Sequence, residues 1–289
     1  MVNTTARSPG TLYIVATPIG NRDDITLRAL QVLKSVDVIL AEDTRHSTHL
    51  LQLLGIHKPL MAFHAHNEAL KSMPIIESLK EGQSFALISD AGTPLISDPG
   101  FSLVRLARQN HLAVVPIPGP CALVTALSAA GVACDSFTFI GFLPAKAPAR
   151  RAKLLSLKHQ PHTLVFYEST HRLEACIDDL IATFGSDYAF VLAKELTKTF
   201  EHFISGTGAE IKAWLLEDPA RSKGEFVFIL PEAPVEEEQG ADKKILSLLL
   251  DELPLKQAVK IASLLTQSNK NELYKWALHE LELKRKMSE

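Results

Sequence analysis

The segment FALISDAGTP, from Phe85 to Pro94, joins a short apolar run to a turn of small and polar residues. Three other apolar runs rich in Val, Ile and Leu lie on either side of it, at Leu12–Ala16, Val36–Ala41 and Leu112–Ile117. We interpret these runs as buried strands, because amphipathic stretches of helical length separate them. Strands that alternate with helices predict a mostly parallel sheet with helices on both of its faces.

Polar residues and prolines mark where the helices of this first block begin. Asp98-Pro99 and Gly119-Pro120 each predict a helix start with proline in the first helical position. Thr44 and Asn67 predict the N-caps of two further helices, each of which ends near a glycine. The block therefore predicts short helices between its strands.

A second α/β block follows the first. Its apolar runs predict four strands, at Phe137–Ile140, Thr163–Tyr167, Phe190–Ala193 and Phe226–Leu230, with helices between them. A proline and acidic residues without periodicity then predict a linker. We therefore divide the 289 residues into a disordered segment (1–10), an N-terminal α/β domain (11–130), a C-terminal α/β domain (131–231), an acidic linker (232–241) and a helical module (242–289).

The last segment, residues 242–289, has helical periodicity alone. Three short helices are predicted, and Asn269 with Glu272 three residues later predicts the start of the last one. A tight polar turn before that helix suggests a helix-turn-helix-like module. The segment carries nine Lys or Arg residues and seven acids. This balance fits a nucleic-acid contact as well as it fits any compact three-helix unit.

The composition is that of a globular protein with a sizeable core. Apolar residues make up 46% of the chain and charged residues 22%, which excludes bulk disorder. No apolar run approaches the length of about 18 residues that a membrane span needs, and the N-terminus lacks a signal-peptide pattern. Three cysteines without metal or redox spacing indicate a reducing compartment, so we expect a cytoplasmic protein without membrane contact.

The charges are segregated along the chain although the net charge is only −3. Pro99 to Tyr167 contains seven Lys or Arg residues against one acid, and no acid occurs from Ser136 to Tyr167. The following stretch, Glu168 to Gln239, reverses to fifteen acids against six bases. Such segregation predicts one anion-facing side. The alternative is a solvated helix whose acidic partners come from elsewhere in the fold.

Ligands of open α/β sheets bind beyond the carboxyl ends of the strands. The chain has neither G-x-G-x-x-G nor a P-loop motif at these ends, which argues against an ordinary dinucleotide site and against a P-loop NTPase. Asp90, followed by Gly92, would suit a ribose hydroxyl or an ammonium group, or would form an Asx turn in which Asp90 caps its own loop. The segment Gly119–Ala122 leads into a helix N-terminus and is a candidate binding lip.

Three clusters of acidic and basic residues also follow predicted strands. They are Ala41–His46, Tyr167–Arg172 and Lys194–Lys198. Each could be capping chemistry with one surface ion pair, but their shared position at strand ends favours a common cleft. His64 and His66 are two residues apart, as metal ligands can be on a strand. No third ligand is evident in the sequence, and we predict no metal site.

Taken in order, these motifs resemble those of the ribosomal small-subunit 2′-O-methyltransferase family. The resemblance covers nearly everything from Thr11 to about Leu281. One departure is Ala65, which stands where the family usually has an acid in its His-x-His-Asn segment. The matching segments are Thr17–Asn21, Ala41–His46, Ser89–Pro94, Asp98–Gly100, Pro118–Ala122, Gly141–Lys146 with Arg150-Arg151, Phe166–Arg172, Glu195–Lys198, Lys223–Glu225, Leu253–Lys256 and Tyr274-Lys275.

The resemblance implies a fold, a cofactor and a substrate. The family belongs to the tetrapyrrole methylase class of S-adenosylmethionine enzymes, which have two α/β domains, bind the cofactor in the interdomain cleft and are typically homodimers. This class does not use the common Rossmann methyltransferase site, which explains the missing G-x-G-x-x-G. The family methylates the ribose 2′-hydroxyl of a cytidine in the decoding region of 16S rRNA, so the implied partner is 16S rRNA in the 30S subunit.

The resemblance also assigns site residues. A ribose hydroxyl needs a proton acceptor, and the candidate carboxylates are Glu42, Glu168 and Glu195, with Lys198 as a rival if neighbouring cations lower its pKa. Arg45, Arg172 and Lys198 could hold phosphates. The implied cofactor-binding residues are Pro18, Asp90, Gly92, Thr93, Ile96, Gly119, Cys121, Ala122, Tyr167 and Gly224. The implied RNA-binding residues are Lys146, Arg150, Arg151, Lys153 and Arg172.

Two alternatives to this function remain at the level of sequence. A methyltransferase of corrins or other tetrapyrroles would share the cofactor loops but would not use the basic stretch or the helical module. A nucleic-acid-binding regulator that senses S-adenosylmethionine would use the module but would not need polar clusters at three strand ends.

Overall fold

The computed structural model describes residues 8–233, 241–266 and 268–287. It divides into two compact units, Met1–Ala233 and Pro234–Glu289. The predicted disordered segment and acidic linker fall largely on residues 1–7 and 234–240, which lie outside the described residues. Gly10, at the end of the first of these segments, is buried and its N–H donates to the Leu79 carbonyl oxygen at 2.7 Å. The ordered fold therefore includes Gly10.

The first sheet of the larger unit is parallel, as predicted. The sequence does not predict its shortest strand, because three residues are too few to show a periodicity. The strands are β1 (Thr11–Val15), β2 (Val38–Ala41), β3 (Leu60–Ala62), β4 (Phe85–Ile88) and β5 (Ala113–Ile117). They lie in the order β3-β2-β4-β1-β5, with every pairing parallel.

Helices cover both faces of this sheet, which confirms the layered arrangement. They are α1 (Leu27–Ser35), α2 (Thr44–Leu53), α3 (Glu68–Lys80) and α4 (Phe101–Gln109), and α5 (Ala122–Ala129) follows β5. Phe85 and Leu87 of β4 pack with α3 and α4 on one face, whereas Ala86 and Ile88 pack with α1 and α2 on the other. All four β4 residues are buried. Burial on both faces explains why the sequence of β4 is a continuous apolar run.

Three of the predicted helix starts are wrong by one or two residues. Helix α4 has Gly100 as its N-cap and α5 has Cys121, so neither Pro99 nor Pro120 is the first helical residue. Asp43, not Thr44, caps α2, and its carboxylate accepts the N–H groups of Arg45 and His46. Helices α4 and α5 therefore begin two residues later than predicted, and α2 begins one residue earlier.

The second sheet has the strands β6 (Phe137–Phe142), β7 (Thr163–Ser169), β8 (Ala189–Lys194), β9 (His202–Thr207) and β10 (Glu225–Leu230). They lie in the order β6-β7-β10-β8-β9, and only the β6–β7 pairing is parallel. The four predicted strands are confirmed. The sequence does not predict β9, whose residues are only partly buried or exposed and therefore form no apolar run.

One face of the second sheet carries the helices α6 (Ala147–Leu157), α7 (Leu173–Phe184) and α8 (Gly208–Leu216). Its other face packs on α5, where Leu123, Ala126 and Leu127 meet the strands. Helix α5 follows the last strand of the first sheet, and Ile19 from the loop after β1 belongs to the same apolar cluster. This packing brings the carboxyl ends of the first sheet towards β7 and β10.

The smaller unit is the predicted three-helix module, with α9 (Ala241–Glu252), α10 (Leu255–Thr266) and α11 (Lys270–Met287). Its core contains Leu246, Ala258, Val259, Ala262, Leu273 and Ala277. At the start of α11 the Asn269 side chain accepts the N–H of Asn271 at 2.9 Å. Among the described residues of both units, no helix has the length and apolar character that a membrane span requires.

Candidate functional site

A cleft of about 360 Å³ opens where loops of the first sheet face the second sheet. The loops follow β2, β4 and β5, and the opposite wall comes from the end of β6 and from β7 and β10. A volume of this size is within the usual range of small-molecule sites, about 300–1,000 Å³. The lining residues are Ile19, Glu42, Asp90, Ala91, Gly92, Thr93, Ile96, Ser97, Asp98, Cys121, Ala122, Phe142, Tyr167, Glu168, Ser169, Leu196, Glu225, Phe226 and Val227.

Most of the predicted cofactor-binding residues line this cleft. Pro18, Gly119 and Gly224 do not, although each is within two residues of one that does. The cleft also contains Glu42, Tyr167 and Leu196, so each of the three polar clusters contributes to it, as the common-cleft interpretation predicts. The predicted residues that line it are Asp90, Gly92, Thr93, Ile96, Cys121, Ala122 and Tyr167.

The turn after β4 is fixed by hydrogen bonds to the loop after β1. The N–H groups of Thr17 and Gly92 each donate to the other residue's carbonyl oxygen, at 2.9 and 3.0 Å. Gly92 has φ +83°, a backbone conformation that favours glycine. Asp90 accepts the N–H of Asp43 at 3.1 Å, so its carboxylate caps a neighbouring loop, and this is not the Asx turn considered from the sequence.

Three carboxyl groups line the same part of the cleft. Burial and the neighbouring Asp90 raise the pKa of Glu42 above its usual value. Burial and the neighbouring Glu42 raise the pKa of Asp98 to about 6. Asp98 is not among the site residues predicted from the sequence, because its pairing with Pro99 suggests a helix cap. Like charges held close together in a partly buried cleft attract a cationic ligand.

The loop between Asp90 and α4 has an unusual backbone. Leu95 and Ser97 have φ values of 74° and 73°, which non-glycine residues rarely adopt. Between them, Ile96 lines the cleft. Strained backbone of this kind costs about 1–3 kcal/mol per residue and is concentrated at functional sites. With these backbone conformations, the loop contributes Ile96 and Asp98 to the wall of the cleft.

Glu168 does not present its carboxylate to the cleft. Its side chain is 0% exposed, and its Oε2 lies 3.0 Å from Arg172 Nη2. Arg172 also donates to the Leu143 carbonyl oxygen, so its guanidinium is engaged by two partners. The pairing with Arg172 argues against Glu168 as a base, and the contact of Arg172 with the segment after β6 argues against a phosphate contact there; both roles stay predictions.

Lys198 lies outside the cleft lining, between two carboxylates. Its Nζ is 2.7 Å from Glu195 Oε1 and 2.9 Å from Glu225 Oε2. Burial alone would lower the pKa of Lys198, but these carboxylates raise it above its usual value. The expectation of a lowered pKa is wrong, and Lys198 stays protonated. Burial alone would raise the pKa of Glu195, but hydrogen bonds from Lys198 and from the Glu225 N–H lower it.

The predicted RNA-binding arginines are largely engaged inside the fold. Arg150 is 3% exposed, and its Nε donates to Asp179 at 2.6 Å. The same carboxylate pairs with Arg151, which is exposed on its other side. The prediction that Arg150 contacts RNA is therefore wrong, because its acidic partner comes from α7. Lys146 and Lys153 are exposed, and they remain candidates for an anion-facing surface.

Arg45 does not line the cleft. Its side chain is 91% exposed and pairs with Asp43 at 3.2 Å. It stays a candidate for a phosphate contact, since an exposed pair of this kind contributes little stability and exchanges partners easily. Glu42 is thus the only catalytic candidate from the sequence that lines the cleft with an accessible carboxylate.

The comparisons with known proteins first define the class. Residues 11–212 match the family model described as tetrapyrrole (corrin/porphyrin) methylases. Uroporphyrin-III C-methyltransferase from Thermus thermophilus shares the fold, with a TM-score of 0.54 and 20% identity over 79% of this chain and 98% of that chain. The cobalamin biosynthetic enzyme cobalt precorrin-4 methyltransferase does so with a TM-score of 0.58 and 17% identity over 77% and 95%. The fold and cleft define a tetrapyrrole-methylase-type enzyme.

Closer relatives then define the particular family. Ribosomal RNA small subunit methyltransferase I of Haemophilus influenzae is 51% identical over 94% of this chain and 98% of the relative. The proteins of the same name from Escherichia coli O157:H7 and Pseudomonas aeruginosa are 52% and 51% identical over 94% of this chain, covering 96% and 98% of their own. Residues 236–282 match the model described as the RsmI C-terminal HTH domain. The chain belongs to the ribosomal RNA small subunit methyltransferase I family.

Family membership makes the chain a methyltransferase with S-adenosylmethionine as its cofactor. The residues of the cleft fit this molecule. S-adenosylmethionine carries a sulfonium and an ammonium group, and Glu42, Asp90 and Asp98 supply the opposite charge. The small residues Gly92 and Ala122 leave room for it beside the backbone. The resemblance inferred from the motifs is confirmed.

Proposed function

We propose that this protein transfers a methyl group from S-adenosylmethionine to the ribose 2′-hydroxyl of a cytidine in the decoding region of 16S rRNA. The observation that carries the proposal is the match to ribosomal RNA small subunit methyltransferase I, at about half identity over nearly the whole chain. The acidic cleft supports it, because such a cleft suits both a cationic cofactor and the removal of a hydroxyl proton. We further propose that the substrate is the assembled 30S subunit.

The cleft residues have two tasks in this reaction. S-adenosylmethionine, when bound, supplies an electrophilic methyl group. The protein has to orient the hydroxyl in line with that group and accept its proton. Asp98 and Glu42 are the proposed proton acceptors, since both line the cleft and the carboxylates of Glu168 and Glu195 are held by cations. Asp98 is preferred, because a pKa of about 6 suits a base that works near neutral pH.

The basic segment beside the cleft is proposed to contact the RNA backbone through Lys146 and Lys153. The Lys146→Ala, Lys153→Ala double variant should weaken binding to 30S subunits and reduce the slope of log affinity against log salt by about 1.5, because two phosphate contacts are lost. Cofactor affinity should stay unchanged. Titrations at several salt concentrations measure this slope. A matched variant, Lys34→Ala with Lys80→Ala, removes two exposed lysines elsewhere and should leave the slope as it is.

The reaction type and substrate are tested together. Methyl-labelled S-adenosylmethionine is incubated with 30S subunits from a strain lacking this enzyme, beside naked rRNA and a tetrapyrrole precursor. A 2′-O-methyl group blocks alkaline cleavage at its own phosphodiester, so we expect an alkali-resistant labelled dinucleotide from the 30S RNA. Label on the tetrapyrrole alone would contradict the proposal and support the corrin-type alternative. Absence of label together with tight cofactor binding would support the alternative of a nucleic-acid-binding regulator that senses S-adenosylmethionine.

We also propose a cytoplasmic homodimer. Leu70 of α3 and Phe101 of α4 are 80% and 65% exposed, and these two helices pack side by side. Exposed apolar residues on adjacent helices are typical of a protein interface. Sedimentation velocity at micromolar concentration should give the mass of two chains. A monomer mass under these conditions would contradict the dimer.

A further inference from the structure

Phe142 is an exposed aromatic residue in the wall of the cleft. Its side chain lines the cleft wall, and it is nevertheless 54% exposed. A single exposed apolar residue is common on protein surfaces and needs no explanation. An aromatic ring at the wall of a ligand cleft is different, because whatever enters or approaches the cleft meets it.

The backbone of β6 is irregular at the point that places this ring. β6 and β7 pair Phe139 with Val165 and then Phe142 with Tyr167, so three steps on β6 correspond to two on β7. The extra residue is a β-bulge. In a regular strand, residues 139 and 142 would point to opposite faces. The bulge brings them to the same face, and bulges next to active sites commonly redirect a side chain in this way.

Both rings consequently contact Tyr167. The Phe139 ring lies 4.9 Å from the Tyr167 ring at 62°, and the Phe142 ring lies 5.7 Å away at 68°. Tyr167 is itself fixed, because its hydroxyl oxygen accepts the N–H of Leu123 at 3.0 Å. The edge-to-face contact orients Phe142 without stacking on it. The exposed part of Phe142 is therefore available to another flat ring.

The bulge also lies where the two walls of the cleft meet. Gly141 has φ +73°, and a Cβ at this position would lie 3.4 Å from Ser97 Oγ in the loop after β4. Ser97 is next to Asp98 of the acidic cluster. Four residues beyond Phe142, Lys146 begins the exposed basic segment. The ring thus shares the cleft with the carboxylates and is close along the chain to the first exposed lysine of the basic segment.

We infer that Phe142 stacks on the base of the target nucleotide and so holds its ribose at the cleft. This inference rests on the proposed function. Proteins that recognise RNA by sequence mostly bind unpaired bases, which they splay out and stack on aromatic side chains. Stacking needs only a flat ring and does not read the base, so Phe142 is a positioning residue for the nucleotide. A ring fixed from behind by Tyr167 loses little conformational freedom when the base arrives.

The test measures the Michaelis constants of Phe142→Ala for 30S subunits and for S-adenosylmethionine separately. Loss of a base-stacking contact typically weakens binding by about 5- to 150-fold. We expect KM for the subunit to rise within this range, while the Kd for S-adenosylhomocysteine, measured by calorimetry, changes less than about twofold. Phe142→Trp and Phe142→Tyr should restore KM, because both keep a ring, and Phe142→Leu should not.

Phe137→Ala is the matched control, since Phe137 is a similarly exposed phenylalanine on the same strand and does not line the cleft. It should leave both constants unchanged. The inference is overturned if Phe142→Ala keeps the wild-type KM for subunits, or if Phe142→Leu restores activity as well as Phe142→Trp does. It is also overturned if the loss of cofactor affinity equals the loss of activity. Wild-type enzyme that makes no alkali-resistant dinucleotide would instead contradict the proposed function.

Discussion

Asp98→Asn is expected to lower kcat/KM for methylation of 30S subunits by about 10²–10⁴-fold, the usual contribution of a general base. The asparagine side chain has the same shape and keeps its place in the loop after β4, but it cannot accept a proton. Because the base must be ionised, wild-type kcat/KM should rise with pH through about 6, the pKa to which burial and Glu42 raise this carboxyl. In the Asp98→Asn variant, kcat/KM should not show this rise with pH.

Binding and stability measurements separate a base from a cofactor contact. Asp98→Asn should retain most of its affinity for S-adenosylhomocysteine, since Glu42 and Asp90 remain. It should also raise Tm at pH 7 in the absence of cofactor. A carboxyl whose folded pKa is raised costs folding free energy that grows as pH rises from its ordinary pKa of 3.8 to about 6 and is fully present at pH 7, and asparagine removes this cost. A variant with normal kcat/KM would eliminate Asp98 as the base and leave Glu42.

Arg150→Ala is expected to destabilise the enzyme by about 3 kcal/mol, the lower end of the effect of breaking a buried ion pair. Arg150 is buried against Asp179, and it also donates to the carbonyl oxygens of Ala145 and Ala175. Removing its guanidinium would leave Asp179 paired with Arg151 alone. It would also remove a donor from each of the two carbonyl oxygens. Guanidinium chloride unfolding, followed by circular dichroism, measures the change.

The neighbouring arginine is the matched control for this substitution. Arg151 pairs with the same carboxylate, but its side chain is 61% exposed. Exposed pairs contribute about 0–1 kcal/mol, so Arg151→Ala should have a small effect on the free energy of unfolding. Asp179→Ala combined with Arg150→Ala should cost less than the sum of the two single variants, because they share one interaction. If Arg150→Ala lost RNA affinity at unchanged stability, the RNA-binding role would be correct after all.

Much of the fold was predictable because its signals are local. The strand β4 is an apolar run of four residues, and its burial on both faces is visible in its composition. Thr207 with Glu210 forms the capping box that starts α8, which is also a local pattern. The strand β3 was not predicted because its apolar run is only three residues long, and β9 was not predicted because its residues are half-exposed and form no apolar run. The starts of α4 and α5 were predicted too early, because proline signals a turn as readily as it signals the first turn of a helix.

The cofactor loops were predictable for a related reason. Asp90, Gly92 and Thr93 follow a strand directly, and the carboxyl ends of parallel strands meet at one edge of a sheet. Asp98 was not predicted as a site residue, because its place in the cleft lining depends on the strained backbone of the loop after β4. Phe142 was not predicted as a site residue, because the face on which its side chain lies depends on a β-bulge. The alternation of apolar and polar residues along a strand does not reveal a bulge.

Eight of the ten described strands, the parallel arrangement of the first sheet, most of the cofactor loops and the family follow from the sequence, since these depend on neighbouring residues or on whole motifs. The roles of the charged residues follow from the tertiary structure instead. Arg150 meets a carboxylate 29 residues away and Lys198 one that is 27 residues away. Each acquires its role from that partner and from burial, because the energy of a charge depends on its distance to other charges and to water. Separation along the chain does not specify those distances.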